Sequence, residues 1–162
     1  MNRYIGVKEI NAVPMTREEY NELRGWVVPA DENPDDKGYL VEYMDGGKPN
    51  HPGFDGYISW SPKDVFERAY RLVSGLTFGQ AIEALKAGKK VARAGWNGKG
   101  MFVYYVPANS YQAQTGVAKS FFGEGSLVPY NAYLAIKNVD DTVSTWVPSI
   151  NDVLSEDWAV VP

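Results

Sequence analysis

Apolar and polar residues alternate along the first half of the chain in a pattern that predicts short strands between helices. Three runs have the period-two spacing of strands, at residues 4–10, 39–43 and 56–60. Thr16 and Glu19 have the spacing of a capping box, in which two side chains satisfy free backbone N–H groups. This motif predicts a short helix that ends near Leu23.

A second helix is predicted directly after the third strand. Ser61 supplies a cap hydroxyl, Pro62 suits the first turn, and Asp64 adds an acid near the helix N-terminus. The apolar residues that follow recur at helical spacing: Val65, Phe66, Ala69, Tyr70 and Val73. The acidic, proline-bearing segment at residues 29–36 is predicted to be a loop.

Another set of elements begins after Ser74-Gly75, where a domain boundary is expected. Thr77 and Gln80 form a second capping box, and Gly88 is expected to end that helix. Its apolar face consists of Phe78, Ala81, Ile82 and Leu85. Strands are predicted at residues 90–94 and 101–106. A tight reversal with positive φ at Asn97-Gly98 is expected to join them.

The last third of the chain predicts one more hairpin and a closing strand. Residues 107–128 show no clear periodicity, which is uncommon for a connection of this length in a compact domain. Strands are predicted at residues 133–137, 142–147 and 158–161, with a turn at Asp140-Asp141 and a short helix capped by Ser149 and Asp152. The sequence therefore predicts an α+β fold of two small antiparallel-sheet units, each with one or two helices, in domains 1–74 and 76–162.

Composition narrows the classes of partner. The chain has 162 residues, of which 44% are hydrophobic and 14% aromatic, so a packed core is expected. With a net charge of −4, the chain lacks the extended positive surface that binding of duplex nucleic acid requires. Five bases fall between Lys86 and Lys99, enough to hold one or two phosphates rather than a long backbone.

Several kinds of site are excluded by residue counts. The chain has no Cys and a single His, so it cannot form a thiolate centre, a histidine-rich zinc site or a Ser-His-Asp triad. We expect no cofactor and no metal, and His51 is predicted to lie in a turn. The first residues lack a signal peptide and no stretch is long enough to cross a membrane, so a cytoplasmic protein is expected.

The glycine-rich segment 95–100 is the main candidate for a binding site. Its spacing fits neither a P-loop nor a dinucleotide fingerprint. Trp96 either packs in a turn or offers a stacking face to a ligand ring, and local pattern alone does not choose between them. Arg93 lies in the strand before this segment, and its planar guanidinium suits a phosphate or a base edge.

The carboxylates give little indication of catalysis. Asp140 and Asp141 stand where a turn is predicted, and Asp152 stands where a helix cap is predicted, so structural roles account for them. A general acid or base needs a pKa near the working pH, and no residue pattern here indicates such tuning. An enzyme is therefore the less favoured class.

The second domain resembles a known family. The run from Leu76-Thr77-Phe78-Gly79-Gln80-Ala81 to Gly95-Trp96-Asn97-Gly98-Lys99-Gly100-Met101, with the ending Trp146-Val147-Pro148-Ser149 and residues 152–158, resembles the Thoeris anti-defence protein family of the second type. These are phage proteins that sequester cyclic nucleotide signals of bacterial immunity. The N-terminal half and the segment 110–128 are expected to be departures from the family pattern.

The resemblance implies a non-enzymatic sponge that acts in the host bacterial cytoplasm. Its partners would be glycocyclic ADP-ribose, with cyclic di- or trinucleotides for some relatives, and further copies of itself in a homo-oligomer, expected to be a tetramer. The ligand-binding residues carried over by motif are Phe78, Trp96, Asn97, Met101, Trp146, Ser149 and Asp152. We assign stacking to Trp96 and Phe78, hydrogen bonding to Asn97 and Asp152, and the pyrophosphate to Arg93 or Lys99.

Two other classes of function stay open at this point. One is a hydrolase of such nucleotides, with Asp152 or Asp157 as the base. The other is a protein-interaction module whose aromatic residues bind another protein.

Overall fold

The structure, a computed structural model, describes residues 1–162 and divides into two compact units, Met1–Arg71 and Leu72–Pro162. Five short helices accompany ten strands, all paired in antiparallel sheets. This confirms the predicted α+β class. None of the helices has the length and apolar character needed to cross a lipid bilayer.

The N-terminal unit is a three-stranded sheet with two helices. Its strands are β1 (Asn11–Thr16), β2 (Lys37–Tyr43) and β3 (Tyr57–Pro62), in the order β1-β2-β3. Helix α1 (Arg17–Arg24) follows β1 without a break, and α2 (Lys63–Ala69) follows β3. Tyr20, Leu40 and Ile58 form the buried core between α1 and the sheet.

Two elements of this unit differ from their predictions. Residues 4–10 form no strand, because the register pairs Asn11 with Glu42 and β2 ends one residue later. A strand that began earlier would have no neighbour to bond with. The helix after β3 has Pro62, not Ser61, at its N-cap, and no side chain caps it. It also ends at Ala69, and none of its residues is fully buried, although Phe66 stacks on the Tyr39 ring of β2 at 4.0 Å.

The C-terminal unit is a five-stranded sheet covered on one face. In sheet order the strands are β10 (Trp158–Val161), β4 (Lys90–Arg93), β5 (Phe102–Val106), β8 (Tyr133–Lys137) and β9 (Val143–Trp146). The helices beside it are α3 (Phe78–Lys86) and α5 (Ile150–Val153). The predicted hairpin at Asp140-Asp141 is confirmed, with positive φ at Asp141.

Strand alternation decides which face of this sheet is covered. Val91 lies opposite Val103, which lies opposite Ile136, and all three are buried. They pack with Ala81 and Leu85 of α3 in one cluster. Because neighbouring residues on a strand point to opposite faces, the intervening side chains lie on the face away from this core. We call that the outer face of the sheet.

An arm extends from the five-stranded sheet between β5 and β8. It consists of β6 (Asn109–Gln112), helix α4 (Gly116–Phe122) and β7 (Leu127–Tyr130), with β6 and β7 paired as a two-stranded sheet. Only Ala113 and Val128 of this region are buried. An element with so little buried surface has no one-sided apolar pattern, which explains why the sequence predicts none of it.

The three predicted capping boxes are confirmed, but the predicted reversal at Asn97-Gly98 is not. Reciprocal hydrogen bonds join Thr16 to Glu19, Thr77 to Gln80 and Ser149 to Asp152. In the loop between β4 and β5, positive φ occurs at Gly100 (73°) rather than at Asn97-Gly98. A Cβ at Gly98 would push aside the Met101 side chain and would lie 2.7 Å from Val139 Cγ2.

Candidate functional site

Four aromatic rings from different elements meet on the covered face of the five-stranded sheet. Trp158 is fully buried, and its ring centre lies 5.6 Å from that of Phe78, 5.4 Å from Trp96 and 5.9 Å from Trp146. The three outer rings are half-buried and tilted or edge-on to Trp158, an arrangement that aromatic pairs favour. We call these residues the aromatic cluster. Trp158 is not among the predicted site residues, although it begins a predicted strand.

A guanidinium and two carboxylates form an ion network beside this cluster. Arg93 donates from Nε to Oδ1 of Asp157 at 2.8 Å and from Nη1 to Oδ1 of Asp152 at 2.9 Å. The Arg93 side chain is mostly buried, so solvent screens these pairs less than surface pairs. The guanidinium charge is therefore already matched within the chain.

Asp152 connects the network to the aromatic cluster. Its Oδ2 accepts from the Ser149 N–H and hydroxyl in the α5 capping box, and its Oδ1 also accepts from the Trp96 indole Nε1–H at 3.2 Å. Its backbone carbonyl accepts from Trp158 Nε1 at 2.9 Å. Burial alone would raise the pKa of Asp152. Hydrogen bonds from Ser149, Arg93 and Trp96 outweigh burial and lower it to about 2.

Asp157 fixes the start of the loop that carries Trp96. Its Oδ2 accepts from the backbone N–H of Gly95 at 2.8 Å. The hydrogen bond from Arg93 lowers the pKa of Asp157, and that from Gly95 adds to the effect against the opposing effect of burial. The two carboxylates in turn raise the pKa of Arg93, with Asp157 the larger influence. Asp157 was predicted only as an alternative base, and its role here is to position the loop.

The nine predicted site residues divide into two groups in the structure. Six belong to the aromatic cluster and its ion network: Phe78, Arg93, Trp96, Trp146, Ser149 and Asp152. The other three lie on the loop after Trp96. Asn97 and Lys99 are exposed there, whereas Met101 packs against the core cluster below the loop. The loop therefore presents one amide and one ammonium to solvent next to a half-exposed indole.

Apart from the aromatic cluster, the same unit has a surface hollow of about 430 Å³. Lys90, Phe102, Tyr104 and Lys137 line it on the outer face of the sheet, and Lys90 Nζ lies 5.1 Å from the centre of the Phe102 ring. None of the nine predicted site residues lines this hollow. Its lining alternates along β4 and β5 with buried valines, and this alternation is the signal that would have revealed it.

Side chains that could ligate a metal do not converge in the fold. No group of three or more His, Asp or Glu side chains is placed to hold a metal ion. His51 lies in the turn where it was predicted, and its Nδ1 accepts from the Gly53 N–H at 3.1 Å.

Comparison with known proteins identifies the C-terminal unit. Residues 76–161 match the family model of the Tad2-like domain, described as a Thoeris anti-defense 2-like domain. A Bacillus phage SP01 protein named Thoeris anti-defense 2 is 40% identical over 87 residues, which cover 53% of this chain and 94% of that protein. The chain belongs to the Thoeris anti-defense 2-like family. Membership gives it a role in phage anti-defence.

The family match also corrects one expectation from the sequence. Residues 110–128 lie inside the matched region, and the 87 residues aligned with the phage SP01 protein cover 94% of that protein, so the arm is part of the Thoeris anti-defense 2-like domain rather than an addition to it. The match contains all nine predicted site residues and begins at Leu76, after the N-terminal unit.

Proposed function

We propose that this Thoeris anti-defense 2-like protein binds a cyclic nucleotide immune signal and sequesters it without cleaving it. The signal is glycocyclic ADP-ribose or a cyclic di- or trinucleotide, captured in the host bacterial cytoplasm. One observation carries the proposal: the half-exposed Trp96 indole is held by Asp152 and two other indoles, next to exposed Asn97 and Lys99.

The chemistry of such a signal suits this arrangement. An adenine ring stacked on an aromatic side chain contributes about 1–3 kcal/mol to the binding free energy, and other bases stack in the same way. A fixed indole loses little conformational freedom when the ligand arrives, so more of the contact energy appears as affinity. Asn97 is then the hydrogen-bond partner of base or ribose, and Lys99 is the cation for a phosphate.

The remaining candidate residues support this surface in the proposal. Arg93 binds two carboxylates of its own chain, so it positions the loop rather than the pyrophosphate. Asp152 and Ser149 hold the Trp96 indole at a fixed angle. Phe78 and Trp146 pack on the sides of the aromatic cluster.

Sequestration is favoured over hydrolysis by the state of the carboxylates. A general base works best when its pKa lies near the working pH. The pKa of Asp152 is about 2, and that of Asp157 is lowered from its ordinary value by Arg93 and Gly95. Both are ion-paired with Arg93, so taking up a proton would weaken the network that holds Trp96.

Self-association is part of the proposal. Large apolar side chains stand exposed on the arm and around α5, among them Val117, Phe121, Leu127, Ile150 and Leu154. Exposed apolar surface of this kind often marks a contact with another protein chain. We propose that further copies of this chain cover them in a homo-oligomer, which we take to be a tetramer.

The test of sequestration is recovery of the ligand. Purified protein is mixed with glycocyclic ADP-ribose or a cyclic oligonucleotide, washed by filtration and denatured by heat, and the supernatant is analysed by mass spectrometry. We expect intact ligand in a fixed ratio to protein chains. A new product would support the hydrolase instead. No bound nucleotide across the panel would favour the protein-interaction module.

Paired variants locate the binding surface. Lys99→Gln is expected to weaken binding by about tenfold, since a charged hydrogen bond is worth about 1.5–3 kcal/mol. Lys86→Gln is the matched control, because Lys86 is an exposed lysine paired with Glu83 on helix α3. Lys90→Gln tests the hollow on the outer face. If Lys90→Gln weakens binding and Lys99→Gln does not, the ligand lies on the outer face and the loop assignment is wrong.

Native mass spectrometry tests the assembly. The intact protein is expected as an oligomer, and Phe121→Ser on the arm is expected to shift it toward smaller species. A monomeric intact protein at micromolar concentration would contradict the proposed self-association.

A further inference from the structure

The N-terminal unit contains an open cleft that lies outside the family match. Its volume is about 510 Å³, within the range of small-molecule sites. Helix α1 forms one wall, and the β3 residues Tyr57 and Trp60 contribute to another. Because the family match begins at Leu76, the cleft shares no residue with the surface proposed above.

Helix α1 presents two arginines along the cleft. Arg17 and Arg24 are the first and last residues of the helix, seven positions apart, and two helical turns bring such residues onto the same face. Tyr20 and Asn21 lie between them and also line the cleft. This face of α1 therefore combines two guanidinium groups with a phenol and an amide.

Each arginine lies against an indole. Arg17 Cζ is 4.3 Å from the centre of the Trp60 ring, and Arg24 Cζ is 4.4 Å from the centre of the Trp26 ring. Contacts of this kind attract the cation to the electron-rich ring face. The Trp60 indole is also held by a hydrogen bond, in which its Nε1–H donates to the Met15 carbonyl at 2.9 Å. The Trp60 ring is therefore held in place before any ligand arrives.

The carboxylates near the cleft pair with Arg17 and not with Arg24. Glu32, the one carboxylate in the lining, lies 2.6 Å from Arg17 Nη1, and Asp36 lies 3.6 Å from Arg17 Nε. Nη1 of Arg24 is buried and donates to no acceptor of the protein. A buried, charged donor without an acceptor is costly, and an anionic oxygen would satisfy it. Burial raises the pKa of Tyr20, while the charge of Arg24 and a side-chain hydrogen bond with that arginine lower it, so the guanidinium lies beside the phenol.

Aromatic surface is exposed on the same cleft. Trp26 is 53% exposed and Tyr57 is 45% exposed, although both line it. Trp26 also packs edge-on against Tyr20, with ring centres 6.2 Å apart. An inorganic anion would use the arginine and leave these rings uncovered. A ligand that carries both a phosphate and a flat ring uses both features.

We propose that this cleft is a second small-molecule site, which binds a nucleoside phosphate. Arg24 binds the phosphate, and the base packs against the exposed rings of Trp26 and Tyr57. The paired Arg17 and Glu32 shape the far end of the cleft. This assignment does not depend on the function proposed for the C-terminal unit.

The experiment is a titration of the full chain, followed through the indole N–H resonances of its five tryptophans. The probes are AMP, GMP, CMP and UMP, with inorganic phosphate and adenosine in parallel. We expect the Trp26 and Trp60 resonances to shift with at least one monophosphate. Phosphate alone and adenosine alone are each expected to bind at least about tenfold more weakly.

Variants assign the response to the cleft. Arg24→Gln is expected to weaken monophosphate binding by about tenfold or more. Arg24→Lys, which keeps the charge but loses the planar fork, is expected to fall in between. Arg68→Gln is the matched control, because Arg68 is exposed on α2 and donates only to the Asp64 carbonyl. An unshifted Trp60 resonance in the free variants shows that the unit is folded.

Three results would overturn the proposal. One is the lack of any Trp26 shift with all four monophosphates at millimolar concentration. Another is equal binding by Arg24→Gln and Arg68→Gln. The third is that inorganic phosphate binds as tightly as the monophosphates do, which would show that the aromatic rings contribute nothing to binding. Trp96→Phe separates the two sites, since it is expected to leave the Trp26 response unchanged.

Discussion

The indole Nε1–H of Trp96 donates to Oδ1 of Asp152 at 3.2 Å, although the two residues are 56 positions apart in the chain. The same carboxylate caps helix α5 and binds Arg93. One buried acid thus sets the orientation of a loop, a helix and a guanidinium together. Changes at Asp152 are therefore expected to affect both the stability of this unit and the surface around Trp96.

Replacing Asp152 with Asn tests this linkage directly. The variant keeps the size of the side chain but removes the charge that pairs with Arg93, and we expect a loss of about 1–3 kcal/mol in the free energy of unfolding. Urea unfolding followed through the Trp96 and Trp158 indole resonances measures it. Asp141→Asn is the control, since that side chain is mostly exposed and Asn tolerates its positive φ. Equal effects of the two substitutions would contradict the linkage.

Stability of the C-terminal unit is expected to fall in acid. The pKa of Asp152 is lowered from 3.8 to about 2 in the folded protein, so the folded state binds its proton less readily than the unfolded state. The resulting stabilisation, about 2 kcal/mol, is complete above the unfolded pKa and is lost as pH falls toward 2. Unfolding free energies between pH 5 and about 2 measure it. Asp152→Asn should flatten this dependence, and an unchanged slope in that variant would rule out Asp152 as its source.

Trp96 requires two substitutions, because its ring has both a structural and a proposed binding role. Trp96→Ala removes packing against Trp146 and Trp158 and is expected to destabilise the unit by about 2–4 kcal/mol. Trp96→Phe keeps most of this packing and loses only the hydrogen bond to Asp152 and part of the stacking face. We expect the Phe variant to fold and to bind the cyclic nucleotide more weakly, as measured by calorimetry. Full affinity in Trp96→Phe and in a folded Trp96→Ala would exclude the indole from the site.

The loop before β5 is expected to depend on Gly100 for its backbone conformation. Its φ of 73° disfavours any residue with a Cβ, so Gly100→Ala should cost about 1 kcal/mol in thermal or urea unfolding. Gly79→Ala is the matched opposite case, because Gly79 lies in helix α3 with ordinary φ, and an added Cβ would make only an ordinary contact, 3.9 Å from Thr77 Oγ1. That variant should gain about 0.5–1 kcal/mol. A neutral Gly100→Ala would mean that the turn has another conformation in solution.

Short-range patterns in the sequence determined most of the elements. The capping boxes at Thr16, Thr77 and Ser149 were predictable because the hydrogen bonds involved span only three residues. The strands of both main sheets were predictable where one face is buried, since burial imposes alternation. The arm exposes nearly all of its residues, so nothing in its sequence marked β6, α4 or β7.

The tertiary structure alone decided which of these residues work together. Arg93 meets Asp152 and Asp157 across 59 and 64 positions of chain, and Trp158 becomes the buried centre that three other rings surround. The predicted strand at residues 4–10 does not form, and this too depends on a distant segment, since β2 ends before those residues could pair with it. Local sequence specifies capping and alternation because those forces act within a few residues. Charge pairing and ring packing act between segments, and only the folded chain brings those segments within reach.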